Sequence, residues 1–303
     1  MAVTFPEAPP ITPSGPPRHA LVAKTPSRTA VLVAAAVGNA VAFLVAYLLF
    51  VRTAAGQEAE NGVVHSAQAA GRSTVDWAEP LRDVDLVVVL GAVALLVLAL
   101  ALVRRRFTLG VTALVLLATP LAVAQLLKIY VLDRPGIDDG YAVAGHNSFP
   151  SGHVSAATAV LLALAVVLPA RFRTWVLAVG SPGVAWVAAA TVALGWHRLS
   201  DTVGGCLLVA AVVCAGAAVV SARRPDGRRV PVLPAVTALL GPVAVVLGGF
   251  AVLGSSTSEG ARFIAAVLLA AVSAVALVAL VTGPVRRVNF DPGRAGRATR
   301  LSR

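Results

Sequence analysis

Three short clusters in this chain carry residue types that do chemistry. His197 and Asp201 are four residues apart, the spacing that sets two side chains on one helical face. An acid in that place fixes which imidazole nitrogen carries the proton and leaves the other free as a nucleophile. Pro150-Ser151-Gly152-His153 opens a long apolar run, so a hydroxyl, free backbone N–H groups and an imidazole sit at the positive end of a helix dipole, a place suited to an anion. Lys128 closes another apolar run and is followed by Asp133-Arg134-Pro135. Taken singly, each cluster has an ordinary reading: a snorkelling lysine, a helix N-cap, an interfacial histidine beside a capping acid.

The elements that must position these clusters are membrane helices. Of the 303 residues, 58% are hydrophobic and 13% charged, well off the balance of a soluble domain. A hydrocarbon core of ~30 Å takes ~20 apolar residues in a helix. Eight runs approach that length: 30–51, 84–103, 107–132, 154–168, 175–194, 202–221, 230–253 and 263–281. They are apolar all round rather than alternating, which predicts an all-α polytopic transmembrane bundle and not a barrel. The first run is too long for the core of a signal peptide and follows a Pro-rich leader, so it reads as a retained anchor. Pro120 is expected to kink the third run.

Charge orients the bundle. Eighteen of the 25 basic residues flank the ends that put both termini on one side, with only Glu7, Asp226 and Asp291 among the acids beside them. The positive-inside rule makes that side cytoplasmic. The net charge of +11 is therefore a topology signal. The arginines are dispersed over short segments without interleaved aromatic residues, which argues against a nucleic-acid partner. All three clusters then fall at the outer ends of the third to sixth spans, and titratable residues that converge on one face of a membrane bundle mark a site.

Elsewhere the chain is less informative. Residues 1–29 are expected to form a disordered cytoplasmic tail and 285–303 a basic one, with a six-span core over 30–221 and two further spans over 222–284. The acidic connection between Arg52 and Asp83 reads as a solvated outer loop, with room for a short helix on the membrane surface. Cys206 and Cys214 read as small core residues rather than a metal or disulfide pair. His19, His65 and His146 receive no role.

The three clusters resemble the signature of the type 2 phosphatidic acid phosphatases, integral membrane lipid phosphatases related to vanadium haloperoxidases. The family pattern has three blocks: Lys, six residues, Arg-Pro; then Pro-Ser-Gly-His; then Ser-Arg, five residues, His, three residues, Asp. The second block is complete at Pro150 to His153, and the third supplies His197 and Asp201. Two positions depart. Lys128 and Arg134 are separated by five residues, which turns the lysine about 100° around its helix. The Ser-Arg pair is Ala190-Thr191, so one phosphate-binding arginine is absent and Arg198 is the nearest replacement. The two last spans lie outside the six-helix core of the family.

The resemblance implies a metal-independent hydrolase without cofactor, acting on a membrane lipid phosphate or polyprenyl diphosphate at the outer face of the cell membrane. His197 would form a phosphohistidine with Asp201 orienting it, and His153 would serve as acid and then base. Lys128, Arg134, Ser151, Gly152 and Arg198 would hold the phosphoryl oxygens. Two other readings stay open: a catalytically weak relative that binds or carries lipid phosphates, motivated by Ala190 and Thr191, and a lipid phosphotransferase. A transporter is disfavoured by the absence of mid-membrane charges and of an evident repeat.

Overall fold

The computed structural model describes residues 25–137, 147–223, 229–256 and 258–290. His146, the acids Asp138 and Asp139, and most of both tails lie outside them. The described chain is all-α and holds no β-sheet, only an isolated bridge between Ser27 and Arg229.

Ten α-helices follow in order: α1 Arg28–Ala46, α2 Ala54–Ala69, α3 Arg72–Val75, α4 Leu86–Val103, α5 Phe107–Leu126, α6 Gly152–Val167, α7 Ala170–Ala193, α8 Leu199–Ala222, α9 Val232–Ser255 and α10 Glu259–Val285. Wider π-helical turns extend α1 through Tyr47–Val51 and α5 through Leu127–Val131. Seven of the helices are long and apolar enough to cross a membrane. The eighth expected span is α6, whose 16 residues reach only about 24 Å. It tolerates that length because it is surrounded by protein: Val154, Ala159, Leu162 and Val166 are all buried.

α8 is the axis of the bundle. Its sequence is apolar and small, and Gly204, Gly205, Ala210 and Ala217 let neighbours approach closely, the usual basis of helix packing where lipid supplies no hydrophobic drive. α1, α5, α6 and α10 pack against it, and α10 also runs along α7 and α9. The two C-terminal helices are thus built into the bundle. α4 lies at the periphery, with Val87 and Val103 79% and 83% exposed, as befits a lipid-facing surface. Pro120 is accommodated inside α5.

The connection after Arg52 corrects the expectation of a solvated loop. It forms α2, which carries Gln57, Glu60 and Asn61 into the protein with no more than 5% exposure each. Its entry depends on Gly56, where a Cβ would stand 2.2 Å from the Leu49 carbonyl oxygen. The polar residues follow a spacing of i, i+3, i+4, one stripe of a helix, and that stripe faces the site described next.

Candidate functional site

At one end of the bundle the chain turns sharply twice. After α7 the backbone closes through Leu194 and Gly195, the latter at φ +68°, a left-handed conformation that costs glycine little. Trp196 N–H donates to the Thr191 carbonyl at 3.0 Å and Gly195 N–H to Val192 at 2.9 Å, the paired bonds of a Schellman ending. His197 N–H also donates to Thr191 O, at 3.1 Å. The second turn, Phe149-Pro150-Ser151, leads into α6. Phe149 is fully buried against Phe43 and Tyr47, with ring centroids 4.9 and 5.7 Å away. A Cβ at Gly204 would lie 2.5 Å from the Phe149 ring, so only glycine lets α8 come this near the turn.

The turns bring the expected residues together. His197 and His153 have ring centroids 6.1 Å apart, and Trp196 flanks His153 at 5.5 Å. His197 Nδ1 lies 3.4 Å from Asp201 Oδ2. The sequence places this pair on one helical face; in the structure His197 precedes α8, and Asp201, in the first turn of α8, reaches back to it. Asp201 is fully buried and its Oδ2 also accepts from the Ser148 hydroxyl at 2.7 Å and from Arg198 N–H at 2.9 Å. Two such donors hold the carboxylate in one orientation.

The cations converge on the same point. Arg134 is 9% exposed, with Nη2 3.5 Å from Glu60 Oε2 and 3.7 Å from Asp201 Oδ1, and none of its three nitrogens has a hydrogen-bond acceptor among the described residues. Arg198 donates through Nε and Nη2 to Asn61 Oδ1 at 3.3 and 3.0 Å, and through Nη1 to Ser148 Oγ at 3.2 Å. Burial and the nearby Arg134 guanidinium pull Arg198 below its ordinary value, while Asp201 and Glu60 oppose that shift. Lys128, half-buried inside the π turn that ends α5, is within electrostatic reach of both His153 and Asp201. That local distortion lies at the place where the spacing to Arg134 departs from the family pattern.

Ser151 and Gly152 divide the work of their turn. The Ser151 hydroxyl is fully buried and caps α6 by accepting from Val154 N–H at 3.4 Å, while Ser151 N–H donates to the Asp201 carbonyl at 2.8 Å. Its observed role is to fix the turn. A Cβ on Gly152 would meet nothing within 4 Å, so space opens beside the first turn of α6. Thr191, at the position of the absent arginine, is fully buried with its hydroxyl on Ala188 O.

Several residues of this cluster carry no motif. Glu60 is fully buried and accepts from Ser200 N–H at 2.7 Å and from the Ser200 hydroxyl at 2.9 Å. Burial pushes its carboxyl up to about 7, against the opposing pull of Arg134. The backbone on either side of Arg134 is tied down: Tyr47 Oη donates to Asp133 O at 2.8 Å, Arg52 pairs with Asp133 at 2.6 Å, and Gln57 Nε2 donates to Pro135 O at 2.6 Å. Asn147 links Leu132 O to the Phe149 turn at 2.9 and 3.1 Å. The signal for α2 was its i, i+3, i+4 polar spacing, which an acidic, glycine-containing connection masks. Among the described residues no group of three or more His, Cys, Asp or Glu side chains is placed to hold a metal ion.

The described residues thus form an all-α bundle with membrane-length helices and, at one end, two histidines and several cations gathered around a buried carboxylate. The PAP2 superfamily model matches residues 129–226, so a PAP2 superfamily domain is present over that segment. The match takes in Arg134, the Pro-Ser-Gly-His turn and the His197–Asp201 pair, and leaves Lys128 and all of α2 outside. No curated protein and no solved structure gives a significant match to the chain.

Proposed function

We propose that the protein is a metal-independent membrane phosphatase that hydrolyses a lipid phosphate or polyprenyl diphosphate through a phosphohistidine at His197. The observation that carries this reading is the facing pair of imidazoles, 6.1 Å apart, with a buried carboxylate behind only one of them among the described residues. That asymmetry assigns two roles: the histidine backed by Asp201 is the nucleophile and the other the proton carrier.

In the first step Nδ1–H of His197 donates to Asp201, so the lone pair on Nε2 attacks phosphorus in line. The P–O bond to the leaving group breaks as His153 delivers a proton to that oxygen. In the second step water attacks the phosphohistidine, neutral His153 takes its proton, and the P–N bond breaks to return His197 and inorganic phosphate. Arg134, Arg198, Lys128 and the Gly152 N–H surround the phosphoryl oxygens and offset the charge that develops there. Ser151 keeps the turn in place through its cap. Arg198 stands in for the arginine absent at Thr191, reaching the cluster from beside the nucleophile rather than from the preceding helix.

The distribution of arginines supports cytoplasmic termini and a site opening on the extracytoplasmic side of the cell membrane. There the substrate presents its phosphate while its tail stays in lipid. Residues 30–221 form the catalytic unit of this reading, and α9 and α10, which make up the expected 222–284 segment and end at Val285, brace it. A binding or carrier role draws its support from Thr191, and a phosphotransferase would use the same histidines with an acceptor other than water.

Phosphate release from purified protein, assayed over a panel of lipid phosphates in the presence of a chelator, tests the proposal. Activity abolished by His197→Ala and inhibited by vanadate is expected; a His197→Ala protein as active as wild type would overturn it.

A further inference from the structure

We infer that α2 is a working part of this site: Asn61 positions Arg198, and Glu60 is the counter-charge of Arg134 with which the substrate's phosphoryl group competes. The inference rests on the phosphatase reading and concerns a helix outside the matched segment 129–226.

The geometry differs between the two arginines in a way that gives each α2 residue its own task. An arginine has five N–H donors. Arg198 directs Nε and Nη2 to the single Asn61 oxygen and Nη1 to Ser148, so three donors hold the side chain and two remain for a ligand. A side-chain amide is suited to this task, since it fixes the guanidinium plane without neutralising its charge. Arg134 is the reverse case. It makes no hydrogen bond among the described residues, yet it is buried and faces two carboxylates at 3.5 and 3.7 Å. Its charge is balanced while its donors are uncommitted, the state in which an incoming phosphoryl oxygen can take them.

Glu60 can serve as a counter-charge because Ser200 holds it through two hydrogen bonds that do not involve Arg134. The groups facing it are Arg134, Asp201, Arg198 and Ser200, one like charge against two unlike. Burial of Glu60 places its titration near neutrality, at about 7. Below that pH the carboxyl is neutral and the arginine is left to the substrate; above it the carboxylate contests the same guanidinium. Affinity for a phosphoryl anion therefore falls as pH rises through that value. Two neighbours settle α2 in register for this role: Gln57 spans Val51 O and Pro135 O at 2.8 and 2.6 Å, and Ala67 lies against Gly195 at the turn before His197.

The experiment uses full-length protein in lipid nanodiscs, with KM and kcat measured on the best lipid phosphate of the panel and inorganic vanadate as the binding probe. Asn61→Leu is expected to raise KM and the vanadate inhibition constant about tenfold or more, the worth of a lost hydrogen bond to a charged group, with kcat less affected. Asn61→Gln, which keeps a neutral amide acceptor, is expected to restore both in part. Glu60→Gln keeps a Ser200 acceptor and is expected to hold KM at its low-pH value across neutrality, where the wild-type KM climbs. Glu58→Gln, at an exposed site on α2, leaves all of these unchanged. Active wild type with unaltered KM, vanadate constant and pH profile in Asn61→Leu and Glu60→Gln overturns this inference alone. Loss of kcat in Asn61→Leu that Asn61→Gln does not rescue also overturns it, since that pattern belongs to stability. Wild type that neither releases phosphate nor binds vanadate overturns the phosphatase reading, and this inference with it.

Discussion

His197 and Asp201 meet across the start of α8, with Nδ1 3.4 Å from Oδ2, while among the described residues His153 has no carboxylate behind it and stacks beside Trp196 instead. The two imidazoles of one site are thereby made unequal. In the proposed reaction only His197 carries the phosphoryl group, and His153 only moves protons.

The division of labour predicts an unequal response to mutation. His153→Ala removes proton donation to the leaving oxygen, a contribution of about 10²- to 10⁴-fold for a positioned acid. With an aryl phosphate whose leaving group needs no proton, the first step survives and the second, which needs a base for water, does not. A burst of released phenol equal to the enzyme concentration, followed by slow turnover, is the expected record in stopped flow. Equal slowing of burst and turnover would assign His153 elsewhere.

Arg198→Lys keeps the charge and loses the planar fork that bridges Asn61 and Ser148. Its expected effect is nearly as large as that of Arg198→Gln, at least about tenfold in kcat/KM. A lysine variant with wild-type kinetics would show that charge alone is sufficient, and an unaffected Arg198→Gln would remove Arg198 from the site.

Gly204→Ala places a methyl group 2.5 Å from a Phe149 ring that is itself buried against Phe43 and Tyr47. Overpacking of this kind costs about 1–3 kcal/mol. The thermal midpoint in detergent is expected to fall. Activity is expected to fall with it, because the ring belongs to the turn that carries His153. Gly248→Ala, where an added Cβ meets nothing within 4 Å, serves as the control and should leave both unchanged.

Much of the bundle was legible in the sequence because membrane helices announce themselves by length and apolarity, and the three clusters because they share one end. Other features depended on packing that spacing does not encode. α6 was expected as a span, short unless extended back through Ser151, and its shortness is tolerated because protein surrounds it. α2 was read as solvated since its composition is polar, yet Gln57, Glu60 and Asn61 point inward, and their polarity reflects the guanidinium groups and backbone carbonyls they meet. Ser151 illustrates a third limit. Its place in the motif marks the turn, while its hydroxyl oxygen is taken up by Val154 N–H as the cap of α6. The position of Arg198 shows the converse: one residue after His197, it reaches the cluster because His197 sits in a turn and not on the helix.

The central claim is a covalent bond between His197 and phosphorus, and rapid acid-free quenching of the enzyme with a ³²P-labelled lipid phosphate tests it most directly. The account predicts label on the protein that is alkali-stable and acid-labile, maps to the peptide containing His197 and is missing in His197→Ala; with a ³²P-labelled aryl phosphate the label also builds up in His153→Ala. Label that persists in His197→Ala, or turnover by wild type with no labelled protein under conditions that trap it in other phosphohistidine enzymes, would contradict the account.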